Sequence, residues 1–197
     1  MGKPIATTRY GLVAITLHWL IALGIAALIT IGLTMTHWPV TPMVKFQLYQ
    51  LHKSIGITVL LAVLLRILWR LIHRPPPLPA LPSSEKTAAV AMHRALYFFM
   101  VALPMTGWAL VSASPFNLPT VLYGLLPWPH LPLLPTLQNK APVEAVMKLI
   151  HGKFGWALLA LILLHAAAAL RHHFILRDGI LRRMLPSWTR PEEESPS

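Results

Sequence analysis

Four stretches of this 197-residue chain are apolar over about 20 residues or more, the length at which a helix crosses the hydrocarbon of a bilayer. They run from about Gly11 to Met35, Leu51 to Ile72, His93 to Ser112 and Leu149 to Phe174. Only 12% of the residues are charged, against roughly 25% in soluble domains, so the chain cannot cover a water-facing surface. The expected fold is an all-α integral membrane protein, a bundle of four transmembrane helices, because helices satisfy their own backbone in lipid.

The first run follows Lys3 and Arg9, is too long for a signal-peptide core and carries His18 and Trp19, so it reads as a retained helix. Pro75, Pro76 and Pro77 end the second. Pro104 predicts a bend in the third, and Pro142 is placed to begin the fourth. Between them, Pro115 to Pro135 is apolar but holds six prolines, which excludes a fifth span and predicts a loop packed at the membrane surface. Residues 1–185 form one expected transmembrane domain, and 186–197, with Glu192 to Glu194, a mobile tail.

Basic residues set the expected orientation. Twelve, among them every Arg, fall on the side of the two termini, and five Lys fall on the other: Lys45, Lys53, Lys140, Lys148 and Lys153. Both termini are therefore expected in the cytoplasm. The net charge of +11 divides across the membrane in this way and does not point to nucleic acid.

The absence of cysteine excludes disulfides, iron–sulfur clusters, thiolate metal sites and c-type haem attachment. No span carries Asp or Glu in its middle, which argues against a carboxylate-based transporter. The spans carry histidine instead. His37, His73 and His130 sit in loops or at helix ends, where a solvated side chain is the plain reading.

His52 and His151 each stand near the start of a span entered from the outer side, so they share a depth. His165 lies fourteen residues past His151, about 21 Å deeper, where His18 of the first helix also arrives. Fourteen residues at about 100° each return to nearly the same face, so the fourth helix offers His151 and His165 to two stacked sites. The residue four after each of these histidines is small: Ala22, Gly56, Gly155 and Ala169. Two opposed imidazole pairs with room beside them fit two haem b groups held by bis-His iron. The plainer alternative is that small residues and single histidines are frequent wherever membrane helices pack. A bis-imidazole zinc or copper site stays open as well, although it would usually take a third or fourth ligand.

Arg66, Arg70, Arg94 and Arg171 at the inner helix ends can pair with haem propionates or anchor helices in anionic headgroups. His172, seven residues past His165 on nearly the same face, can line a quinone pocket or be an interfacial histidine. His93 has Tyr97 in the i+4 place and takes a supporting role or none.

Several stretches together resemble the bacterial di-haem cytochrome b561 family, which is grouped with the cytochrome b subunits of nickel–iron hydrogenases. They are Arg9-Tyr10-Gly11 with His18-Trp19, Leu51-His52-Lys53-Ser54-Ile55-Gly56, Arg66 to Arg70 followed by prolines, Ala102 to Gly107, and His165 leading to His172-His173-Phe174 and Leu181 to Met184. The resemblance implies that His18 with His165 holds an inner haem and His52 with His151 an outer one. It implies electron transport between a periplasmic-side donor and the quinone pool. One branch of the family oxidises superoxide and reduces ubiquinone; a neighbouring branch, more similar in the Leu51–Gly56 stretch and the His-His-Phe tail, is linked with periplasmic lipid- or quinone-binding partners. Two functions follow: a superoxide:ubiquinone oxidoreductase, or a relay cytochrome serving a periplasmic or membrane partner protein. A His-lined metal transporter is a distant third.

Overall fold

The computed structural model describes residues 9–73, 75–77 and 81–185; the expected tail 186–197 and the basic residues Lys3, Arg74 and Arg190 lie outside them. Four long helices carry the fold: α1 (Leu12–His37), α2 (Pro42–Ile72), α3 (Ser83–Ser112) and α4 (Ala141–Phe174). All four are long and apolar enough to span a membrane.

Two helices begin well before the sequence predicts. In α2, Pro42 occupies the first turn and the Thr41 hydroxyl accepts from the Val44 amide at 3.4 Å, a cap that starts the helix nine residues ahead of Leu51. α3 starts at Ser83, ten residues ahead of His93, and Glu85 lies in its first turn, where a carboxylate suits the helix dipole. Apolar runs mark the hydrocarbon, and the helices continue past it into the headgroup layer. The expected start of α4 is met, with Pro142 in its first turn. Pro104 sits inside a continuous α3.

The Pro-rich connection has more structure than a loop. Strands β1 (Thr120–Leu122) and β2 (Leu126–Trp128) pair antiparallel, with Leu122 opposite Leu126. The turn between them puts Tyr123 at φ 52° and Gly124 at φ 74°, the consecutive left-handed residues of a tight hairpin. Buried Ser54 of α2 accepts from the Tyr123 amide at 2.9 Å, and the Thr58 and Tyr123 hydroxyls bond at 2.8 Å. On α3, buried Ser112 accepts from the Leu131 amide at 2.9 Å, and the Trp108 indole donates to the Pro129 carbonyl at 2.9 Å. The hairpin thus closes one end of the bundle, called here the hairpin end.

At the other end, residues 175–185 turn back beneath the helices. Arg9 donates from Nη2 to the carbonyls of Arg182 (3.0 Å) and Leu185 (2.9 Å), and Trp19 donates from its indole to the Met184 carbonyl at 2.8 Å. This strap ties the end of α4 to the start of α1.

The helices pack unevenly. α1 lies against α2, α3 against α4, and α2 joins the two pairs through α3, whereas neither α1 nor α2 packs closely on α4. The buried core joins Leu17, Ile21 and Ile25 of α1, Val59 and Val63 of α2, Leu96 of α3 and Leu158 of α4. Gly24 brings α1 close to α2, since a Cβ there would stand 2.6 Å from Val59 Cγ2. Leu23, Leu64, Leu68 and Leu163 are exposed on the bundle surface, as lipid-facing side chains are.

Candidate cofactor site

Toward the hairpin end, His52 of α2 and His151 of α4 face each other with ring centres 6.2 Å apart. Nδ1 of His151 lies 3.1 Å from the Leu103 carbonyl and 3.1 Å from the Thr106 hydroxyl, which itself donates to Leu103 at 2.7 Å. Donation of Nδ1–H to that carbonyl fixes the ring and leaves Nε2 as its free base. Among the described residues, Nδ1 of His52 is buried without a hydrogen-bond partner. Glycines of the neighbouring helices back both rings. A Cβ on Gly107 would meet His151 Cε1 at 2.9 Å, and one on Gly32 would meet His52 Cε1 at 3.5 Å.

Toward the strap, His18 of α1 and His165 of α4 stand with ring centres 6.4 Å apart. His93 of α3 joins them, its ring centre 5.4 Å from that of His165 and its Nδ1 2.6 Å from the Ala89 carbonyl. Trp19, held by the strap, packs edge-on against His18 at 5.3 Å. Arg66 donates from Nε to the Tyr97 hydroxyl at 3.0 Å and from Nη1 to the Ala14 carbonyl at 3.1 Å, joining α1, α2 and α3 at this depth.

Both histidine pairs bridge helices that do not pack closely, α2 to α4 and α1 to α4. A flat group can therefore enter where the backbone leaves a seam. The spacing fits one metal ion between each pair, because two metal–nitrogen bonds of about 2 Å and roughly 1 Å from nitrogen to ring centre on each side reach about 6 Å. Gly155 has open space where a Cβ would go, and a Cβ on Gly56 would meet only Leu28, at 4.0 Å. Among the described residues, no three His, Asp or Glu side chains gather as a metal cage. The donor sets are imidazole pairs, with His93 beside the strap-end one, and would suit a haem iron better than a tetrahedral zinc site.

The remaining sequence candidates fall differently. Arg70 lies over the Tyr97 ring, 5.8 Å from its centre. Arg171 pairs with Glu85 at 3.7 Å, joining α4 to α3. His172 places Nδ1 2.5 Å from the Asp178 carboxylate, so its near neighbour is the strap. Sequence reasoning looked for small residues one turn along the same helix and missed Gly32 and Gly107, which serve the ring of a neighbouring helix. It also missed Leu103 and Thr106. The available signal was a glycine inside each of two apolar spans, at Gly32 and in Ala102 to Gly107.

A four-helix membrane bundle with facing imidazole pairs has the architecture of the membrane electron-transfer cytochromes. Comparison with known proteins narrows the class: the family model described as prokaryotic cytochrome b561 matches residues 9–187. The chain is 34% identical over 182 residues to cytochrome b561 homolog 2 of Escherichia coli K12, covering 90% of this chain and 91% of that one. It is 29% identical to cytochrome b561 homolog 1 of the same organism, covering 90% and 97%. It is also 28% identical to the probable superoxide oxidase CybB of Yersinia pestis, covering 90% and 96%. The chain belongs to the prokaryotic cytochrome b561 family, whose members bind haem b and transfer electrons, and it is a multi-pass protein of the bacterial inner membrane.

Proposed function

We propose that the chain is a di-haem b-type cytochrome that carries electrons across the inner membrane between a periplasmic-side donor and the quinone pool. The observation that carries this reading is the pair of ring separations, 6.2 and 6.4 Å, set fourteen residues apart on α4. In this reading His52 and His151 hold the haem at the hairpin end, and His18 and His165 the haem at the strap. Gly56 and Gly155 leave room beside two of those ligands, and Arg70 stands near the strap-end haem. Bound haem supplies a one-electron ferrous–ferric couple.

The chain's own residues set its surroundings. Leu103 and Thr106 fix the His151 ring, Gly32 and Gly107 keep side chains away from the ring edges, and Arg66 places a fixed positive charge beside the strap-end pair. Both termini lie in the cytoplasm on this reading, residues up to Leu185 forming one domain. The hairpin end then faces the periplasm with its five Lys and the single acid Glu144, a field that attracts a small anion. Together with the likeness to a probable superoxide oxidase, this supports superoxide as donor; ubiquinone as acceptor rests on the family resemblance alone.

A relay role with a periplasmic partner protein is the second reading. Its support is the exposure of Phe116 (78%), Leu125 (87%) and Leu133 (78%) in the connection that carries the hairpin. Stopped-flow reduction of the haems by superoxide pulses tests the choice. Fast reduction that slows as salt rises supports the oxidoreductase, and slow reduction indifferent to salt rejects it in favour of the relay.

A further inference from the structure

Beneath α4 the strap borders an open cavity of about 350 Å³, lined by His173, Phe174, Arg177, Asp178, Gly179 and Arg182. We propose that this cavity binds a phosphate group carried on an anionic membrane lipid.

The charges in the lining point to an anion. Both oxygens of Asp178 are engaged, Oδ2 with His172 Nδ1 at 2.5 Å and Oδ1 with the Ile180 amide at 3.1 Å. Among the described residues, neither the Arg177 nor the Arg182 guanidinium has a hydrogen-bond or ion-pair acceptor. Two planar donor forks therefore converge on one cavity with its one carboxylate already committed, which suits phosphate oxygens. Gly179 keeps the floor open, with nothing within 4 Å of a Cβ there.

The position says which phosphate. The cavity lies just past the end of a membrane-spanning helix, where headgroups sit, and it adjoins Phe174 (67% exposed) and Ile175 (72% exposed), apolar side chains that an acyl chain can cover. A quinone ring would instead require a slot lined mainly by apolar and aromatic side chains, whereas here Phe174 and the His173 ring stand against two Arg and an Asp. The consequence is structural as well as local. The Arg182 carbonyl holds Arg9 and the Met184 carbonyl holds Trp19 beside His18, so a lipid seated here braces the strap that joins α4 to α1.

The test uses the full-length haem-loaded protein in detergent, titrated with phosphatidylglycerol, phosphatidylcholine or inorganic phosphate and read by native mass spectrometry. Arg177→Gln alone and the Arg177→Gln, Arg182→Gln double variant are compared with the wild type; both keep the strap's carbonyls. The expected result is a wild-type preference for phosphatidylglycerol over phosphatidylcholine of roughly tenfold or more, reduced in the single variant and abolished in the double one. Equal retention of the two lipids, or a preference that survives in the double variant, overturns the proposal. Displacement of the lipid by millimolar inorganic phosphate overturns the lipid as source. A quinone that co-purifies and is lost in the variants in place of the lipid overturns the assignment to phosphate.

Discussion

Gly107 of α3 lies so close to the His151 ring that a Cβ built on it would stand 2.9 Å from Cε1. Real Cβ contacts are not that short, so the ring or the helix must move when a side chain is added. Gly107→Ala is expected to displace His151 from its bond to the Leu103 carbonyl and weaken haem affinity at the hairpin end by about 10- to 100-fold. Haem content per protein, measured by the pyridine haemochrome assay, should fall from two toward one, with the strap-end signal kept. Two full haems in Gly107→Ala would contradict the account of this contact.

Gly155 supplies the opposite test, because nothing lies within 4 Å of a Cβ placed there. In the protein alone a larger side chain meets no obstacle. Gly155→Leu is therefore expected to leave helix content intact while excluding the hairpin-end haem, read by circular dichroism and the Soret band. If the variant keeps both haems, the macrocycle does not use that space.

Trp19 and Met184 are joined by an indole-to-carbonyl bond of 2.8 Å, beside His18. Trp19→Phe removes the donor and keeps most of the ring. A loss of about 0.5–1.5 kcal/mol is expected, seen as faster amide exchange across 181–185. The strap-end haem should show a broadened electron paramagnetic resonance signal while the hairpin-end signal stays unchanged; equal broadening of both would argue against the strap acting locally.

Asp178 gives the strap a pH dependence. Burial raises its pKa, but the bonds from His172 and the Ile180 amide outweigh that and hold it below the ordinary 3.8. Because the folded value is the lower one, the stabilisation is complete above the unfolded pKa and is lost as pH falls through the folded one. Exchange at the Ile180 amide, corrected for its intrinsic rate, should accelerate only below about pH 4. Asp178→Asn should show the faster exchange at neutral pH and lose the acid dependence.

Much of this arrangement was legible in the chain. Four apolar runs and a fourteen-residue histidine spacing on one helix are local properties, and the former are borne out as four spanning helices. The early starts of α2 and α3 were not legible, because capping by Thr41 and the Glu85 dipole contact extend helices where hydropathy is already low. Nor was the hairpin, whose prolines ruled out a span without revealing that Ser54 and Ser112 would hold its amides from two helices. Gly32 and Gly107 were hidden for a related reason: each matters to a ring on another helix, and only the packing says which. His93 was given a supporting role or none, and only the packing of α3 shows that it stands 5.4 Å from His165.

The pairing of His52 with His151 and of His18 with His165 is the claim on which the rest depends. Low-spin electron paramagnetic resonance of the wild type and of His52→Ala, with haem counted per protein, tests it most directly. Two bis-imidazole signals are expected in the wild type, and in His52→Ala one haem with the strap-end signal unaltered. A single haem in the wild type, or the loss of the strap-end signal from a folded His52→Ala protein, would contradict it.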